Sequence, residues 1–351
     1  RKGLFRRRTS KNGKLQEAEM TYVKSNLLMA CLLTSGLSMA GTASAEVKLD
    51  LANEYSATSL VGQADTFFVE AVKRHTNGEI VVTPHFGGAL GFKSKDHFDA
   101  VGDGAVPIAG TYTGVFSGID PVFALSAMPF QAPSLDDAVA MLEVAKPYYE
   151  KVFAKHNQKL LYASPYTPTG IWASRAIESA GDLKDLKIRT YDAAGLGTLK
   201  AIGAAPIQLS WADVVPQLST GGIDAVLTSD ESGINGKFWE HLTHFNAVPY
   251  SVAINMTHMN LDTYNDLTDE QRAALDKAVA ETQAENWRRV AARIERNAKV
   301  LKDNKVVVVE APAALVSKLQ AAAETVLNDW IGVMGDDGKA IMKAYRERRS
   351  K

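Results

Sequence analysis

Residues 182–226 read DLKDLKIRTYDAAGLGTLKAIGAAPIQLSWADVVPQLSTGGIDAV, and the order of patterns inside this stretch decides the fold class. Leu186 to Asp192, LKIRTYD, alternates apolar and polar positions as a short β-strand does. GLGTLKAIGA follows as a helix stopped at Gly203, WADVVPQLSTGG as a second helix and IDAVLTSD as the next strand. Strands and helices taken in turn are the mark of an α/β protein. Arg189 lies near the end of its strand. Its guanidinium presents a planar fork of donors that fits a carboxylate in a bidentate way, which a lysine cannot copy. The same arginine could equally be exposed or held in an internal salt bridge, as most arginines are.

Outward from this stretch the same alternation holds. VKLDLANEYSA from Val47 is an opening strand, SLVGQADTFFVEAVKRHTNG a helix closing at Gly78, EIVVTPHF a strand and SKDHFDAVGDG a helix. AVPIAGTYTG reads as a strand, the segment after Ser134 as a long amphipathic helix capped by that serine, and KLLYASPY as another strand. FNAVPYSVAINM, rich in β-branched and aromatic residues, reads as one long strand passing between domains. From Thr268 a helix of about 35 residues, roughly 50 Å at 1.5 Å per residue, starts on a Thr268/Gln271 capping box. Trp287, Val290, Ile294, Ala298 and Leu301 form its apolar stripe. A helix that long with such a stripe is expected to lie across two domains. A strand, KVVVVEA, and two closing helices complete the chain.

The first 45 residues have a different character. Residues 1–19 are basic and polar and read as upstream sequence. From Met20 follow a charged Lys24, the apolar run LLMACLLTSGLSMAG and a small-residue cleavage site at Ala43–Ala45, the pattern of a secretory leader, which would place the mature start at Glu46. The apolar run is too short for a span, which needs about 20 apolar residues. Cys31, the only cysteine, lies inside it, so a mature chain cut after Ala45 could hold neither disulfide nor zinc-thiolate site. That cut removes eight Lys/Arg from 39 and two Asp/Glu from 40, leaving 31 against 38 and a net charge of −7. An acidic exported protein is poorly suited to nucleic acid.

The sequence holds no P-loop, nucleophile elbow or zincin motif, and GLG at Gly195–Gly197 lacks the third glycine of a dinucleotide fingerprint. His241 and His244 have a metal-compatible spacing but no third ligand nearby, and read as a solvated pair. Asp230 and Glu231 are adjacent at a strand end and so diverge; lining of a ligand cleft or a helix cap suits them better than acid/base work. Neither metal nor cofactor is expected. What remains is a set of aromatic and polar residues at strand ends: Tyr112, Tyr166, Trp172, Arg189 to Asp192, Thr228 to Asp230 and Tyr250. Open α/β sheets bind ligands beyond the carboxyl ends of their strands, and clefts between domains are favoured pockets.

On the run from Asp182 to Val226, together with FFVEAVKRHTNGEIVVTPHFGGALG and FALSAMPF, the chain resembles the solute receptors of tripartite ATP-independent periplasmic (TRAP) transporters, typified by C4-dicarboxylate and sialic-acid receptors. The resemblance covers nearly all of the chain after the leader. It implies a two-lobed periplasmic binding protein fold with discontinuous domains, residues 46–168 with 253–296 and 169–252 with 297–351, and a long helix spanning both lobes. It implies that Arg189 is the ligand-carboxylate arginine, that Trp211 holds an aromatic pocket position, that Thr228 replaces a frequent pocket asparagine and that Tyr112 faces the ligand from the first lobe. Tyr191, Asp192, Asp230 and Tyr250, with Glu54 in the opening Asn53–Tyr55 segment, complete the expected site. Where many relatives carry G-x-R, this chain has Gly170, Ile171 and Trp172, so an indole is expected in place of a second cation. One arginine among several rings suggests a monocarboxylate with an apolar or aromatic body. A C4-dicarboxylate or sugar-acid receptor of the same family, an ABC-type binding protein and a periplasmic enzyme on this scaffold are the alternatives. The implied partners are a small organic acid and a TRAP membrane permease, met by a monomeric receptor in the periplasm.

Overall fold

The structure, a computed structural model, describes residues 46–349. The expected leader, its Ala43–Ala45 cleavage site and Cys31 lie outside the described residues. Along the chain run β1 (Val47–Asn53), α1 (Leu60–His75), β2 (Ile80–His85), α2 (His97–Gly102), β3 (Ile108–Tyr112), α3 (Leu135–Lys155) and β4 (Gln158–Pro165). They are followed by β5 (Thr169–Ala173), β6 (Lys187–Thr190), α4 (Ala193–Ala201), β7 (Ala205–Gln208), α5 (Trp211–Ser219), β8 (Ala225–Ser229) and α6 (Asp230–Asn235). β9 (His244–Ala247), β10 (Ile254–Asn260), α7 (Leu261–Asn265), α8 (Asp269–Asp303), β11 (Val307–Glu310) and α9 (Ala313–Arg349) complete the order.

Two sheets form two lobes. The first has the order β2-β1-β3-β10-β4, with β1 parallel to β2 and β3 and β10 antiparallel to both its neighbours. The second has the order β11-β9-β5-β8-β6-β7, in which β6 is parallel to β7 and β8 while β5 runs antiparallel to β8 and β9. Two extended segments, 166–168 and 248–253, cross between the sheets, and α8 makes a third passage on its way to β11. The two extended crossings pair with each other: Tyr166 N donates to Ala253 O at 2.9 Å and Thr169 N to Ser251 O at 2.8 Å. The long strand expected over FNAVPYSVAINM is therefore two strands in different sheets, β9 and β10. Pro249 between them has no N–H to continue a ladder, which is one reason the extended run is interrupted there.

The long helix is present as α8, 35 residues, with both halves of the Thr268/Gln271 capping box made. Its buried face shares only Val290 and Leu301 with the expected stripe. Gln271, Leu275, Ala278, Thr282, Asn286, Val290, Arg293, Asn297 and Leu301 point inward, whereas Ala298 is exposed and Trp287 and Ile294 are half-buried. The seam turns polar where α8 passes between lobes: Arg293 donates to Gln63 of α1 and stands 3.1 Å from Glu231 of α6. Hydrophobicity alone marks the wrong face of such a helix, because its inward residues meet polar partners on both sides. The two closing helices are the halves of α9, broken at Gly335, whose φ of 62° takes it out of helical geometry. Leu315 and Leu319 pack into the core of the second lobe, while Leu327, Trp330, Ile341 and Tyr345 pack with α3.

One buried carboxylate ties the first lobe together. Asp65 accepts from Asn53 Nδ2 at 2.6 Å, Tyr162 Oη at 2.7 Å and Thr257 Oγ1 at 3.2 Å, joining α1 to β1, β4 and β10. Gly110 of β3 leaves room for it, since a Cβ there would lie 2.8 Å from Asp65 Oδ2. Burial raises the Asp65 pKa from 3.8 to about 6, against the pull of the three donors. The folded state therefore holds this proton more tightly than the unfolded chain, so the Asp65 contribution to stability falls as pH rises from about 4 to about 6. In urea unfolding, the stability difference between wild type and Asp65→Asn should shift against wild type across that window; a difference independent of pH would contradict the raised pKa.

Candidate functional site

The carboxyl ends of β6 and β8, which run parallel, point into the space between the lobes. They carry Arg189, Tyr191, Thr228 and Ser229 to one side of a cleft. Tyr55, which follows β1, Tyr112 at the end of β3 and Tyr166 after β4 come from the first lobe and its crossing. Trp211, the first residue of α5, closes over them. Two connected spaces result, sharing Tyr55, Tyr112, Arg189, Tyr191 and Trp211: an inner one of about 30 Å³ and an outer one of about 280 Å³. The rings form an offset box. Tyr55 lies 6.0 Å from Tyr166 and 6.1 Å from Trp211, and Tyr112 meets Tyr191 edge-on at 5.1 Å. Thr169, Thr228, Ser229 and Ser232 supply hydroxyls to the inner space.

Arg189 is 4% exposed. Its Nε and Nη2 donate to the carbonyl of Leu209 at 3.0 and 2.8 Å, which fixes the plane of the guanidinium. Its Cζ stands 5.8 Å from the centre of the Tyr191 ring. Among the described residues no carboxylate lies within ion-pairing distance of it. Glu54 and Asp192 act on it only through space, and burial lowers its pKa more than they restore it. A charge so placed, with donors left facing a cavity, is poised for an anion from outside, because a buried guanidinium without a counter-charge is costly.

The expected site residues divide. Arg189, Trp211, Tyr112, Thr228, Tyr191 and Glu54 line the cleft. Asp192 does not: it caps α4 by accepting from Gly195 N at 2.7 Å and takes the Tyr112 hydroxyl at 2.5 Å, a direct bond between lobes. Burial raises its pKa to about 6. Asp230 stands behind the cleft wall at the start of α6, where it accepts from Thr167 in the first crossing. Tyr250, in the second crossing, is buried against Phe130.

Trp172 corrects the expectation of an indole in the pocket. It is 0% exposed, packs between Phe238 and Phe245, and donates from Nε1 to Ser229 O at 3.2 Å. The cause is strand direction. β5 is antiparallel to β8, so Thr169, opposite Ser229, reaches the cleft, and Trp172, opposite Val226, does not. Thr169 was not among the expected residues because it opens its strand rather than ending it. Sequence reasoning also missed Ser232, and Lys95, an exposed cation at the outer mouth.

With this geometry the comparisons are unambiguous about kinship. Residues 51–332 match the model of the bacterial extracellular solute-binding proteins, family 7. The chain belongs to that family. It is similar, at 29% identity and a TM-score of 0.83, to a TRAP solute-binding protein from an unidentified marine microbe solved with co-purified pyroglutamate; 86% of this chain and 99% of that one are covered. A Bordetella pertussis extracytoplasmic solute receptor that binds pyroglutamic acid matches at 28% identity and a TM-score of 0.83, over 86% of this chain and 100% of that one. The ectoine-binding periplasmic protein of Halomonas elongata is 22% identical over 305 residues, 83% of this chain and 88% of that one. These relatives are receptors rather than enzymes. Among the described residues no helix is long and apolar enough to cross a membrane.

The packing of Trp172 has a direct test. A Cβ on Gly233 would lie 2.2 Å from the indole, so Gly233→Ala forces that core apart. The variant should lose about 1–3 kcal/mol in urea unfolding, the usual cost of overpacking; unaltered stability would show that the indole is not held there.

Proposed function

We propose that this protein is a periplasmic TRAP receptor that captures a small monocarboxylate with a compact ring, of the kind represented by pyroglutamate, and delivers it to a membrane permease without altering it. The observation that carries this reading is Arg189, buried, oriented by Leu209 and lacking a carboxylate partner beside a box of rings. The ligand carboxylate takes the free edge of the guanidinium. The body of the acid lies among Tyr55, Tyr166, Tyr191 and Trp211, and the hydroxyls of Thr169, Thr228 and Ser232 meet its polar edge. The pyroglutamate-binding relatives above share the fold at 28–29% identity and support the same class.

Contacts from both lobes shift the population toward the closed form when the acid binds. The receptor acts as a monomer, and the two crossings at residues 166–168 and 248–253 are its hinge. A C4-dicarboxylate would need a second buried cation. Lys95 is the nearest candidate on the cleft lining and it stands exposed at the mouth, which makes the dicarboxylate reading weaker.

Isothermal calorimetry with L-pyroglutamate should show binding by wild type and a loss of more than a hundredfold in Arg189→Ala, in line with about 3–5 kcal/mol for removing one partner of a buried pair. The melting temperature of the ligand-free variant should stay near that of wild type. Micromolar affinity persisting in the variant would remove Arg189 from the site, and stabilisation by C4-dicarboxylates alone would overturn the ligand class.

A further inference from the structure

Helix α5 carries Trp211 at its first position, yet its own N-cap, Ser210, makes no side-chain capping bond. The N–H groups of a first helical turn have no partner within the helix and need an acceptor from elsewhere. Here the acceptor comes from the other lobe. Glu54, just beyond β1, accepts from Ala212 N with Oε1 at 3.0 Å and from Ser94 N, in its own lobe, with Oε2 at 2.9 Å. The side chain is 4% exposed, so both bonds are shielded from water. Its neighbour Tyr55 meets Trp211 ring to ring. Consecutive residues of one lobe thus grip consecutive residues of the other, one through a carboxylate and one through a ring. Beside them Lys93 reaches Asp213 of α5 at 2.9 Å, a pair exposed by about two-fifths on each side and so weak.

We propose that Glu54 is an interlobe cap: closure delivers its carboxylate to the open N-terminus of α5, which locks Trp211 over the cleft and holds the shut form against reopening. Glu54 is a positioning residue and its carboxylate is occupied by backbone donors rather than aimed at the ligand. The carboxylate geometry matters because a glutamine offers one acceptor oxygen where two N–H groups must be met, and turns an amide donor toward the other. The bond exists only when the lobes meet, so its loss should speed release and leave capture nearly unchanged. Removing Lys93 should change little.

Stopped-flow measurements with L-pyroglutamate rest on the ligand class proposed above. In Glu54→Gln the dissociation rate should rise at least tenfold, with the association rate within threefold of wild type and the ligand-free melting temperature nearly unaltered; Lys93→Ala should change dissociation by less than twofold. Hydrogen exchange on the purified protein, which reads the cap in the fraction of molecules that is closed, needs no assumption about which ligand is bound. Glu54→Gln should speed exchange together at peptides containing Ser94 and Ala212, and not across the rest of the second sheet. If wild type ignores pyroglutamate while the exchange result holds, the ligand class fails and the cap stands. Exchange unchanged at both peptides, or a dissociation rate within twofold of wild type, would overturn the cap.

Discussion

The cleft is organised by a charge that the protein leaves unanswered. Arg189 is taken out of water by the strand that carries it, held in plane by the Leu209 carbonyl, and given rings rather than a carboxylate for neighbours. In a buried setting such an arrangement is costly unless an anion partners it. The fold supplies the setting. β6 and β8 run parallel and end at the same level, so the arginine, Tyr191 and the Thr228–Ser229 pair open on one space, and the first lobe closes that space with Tyr55 and Tyr112.

The lobes meet through ring contacts, Tyr55 with Trp211 and Tyr112 with Tyr191, and through several polar contacts. Tyr112 reaches Asp192, which caps α4; Glu54 reaches Ala212, at the start of α5; Arg293 on α8 stands between Gln63 and Glu231 at the start of α6. Three helix starts in the second lobe are thus addressed by side chains outside it. Polar contacts of this kind can be made and broken at modest cost.

Much of this was legible in the sequence where a single element decided the matter. The alternation of strands and helices, the caps at Ser134 and Thr268, the length of α8 and the place of Arg189 on its strand depend on local pattern and chemistry. Family membership was legible too, from the run Asp182 to Val226. The failures share one physical origin, which is that strand direction and helix facing are set by distant partners. Trp172 was expected in the pocket because it stands where many relatives carry the arginine of G-x-R, and antiparallel pairing with β8 sends it into the core. The seam of α8 was placed on Ile294 and Ala298 because the true seam holds the polar residues Asn286, Arg293 and Asn297, of which Asn286 bonds to Ser164 and Arg293 stands between Gln63 and Glu231. Glu54 was assigned to the site without a sign that backbone donors on both sides would occupy its carboxylate.

A crystal structure of the protein with its solute bound tests the central claim most directly. A carboxylate of the solute should lie within 3.2 Å or so of the Arg189 guanidinium, with the ring body between the tyrosines and Trp211. A solute held elsewhere, with the Arg189 side chain turned to bulk water or paired with a carboxylate of the protein, would contradict it.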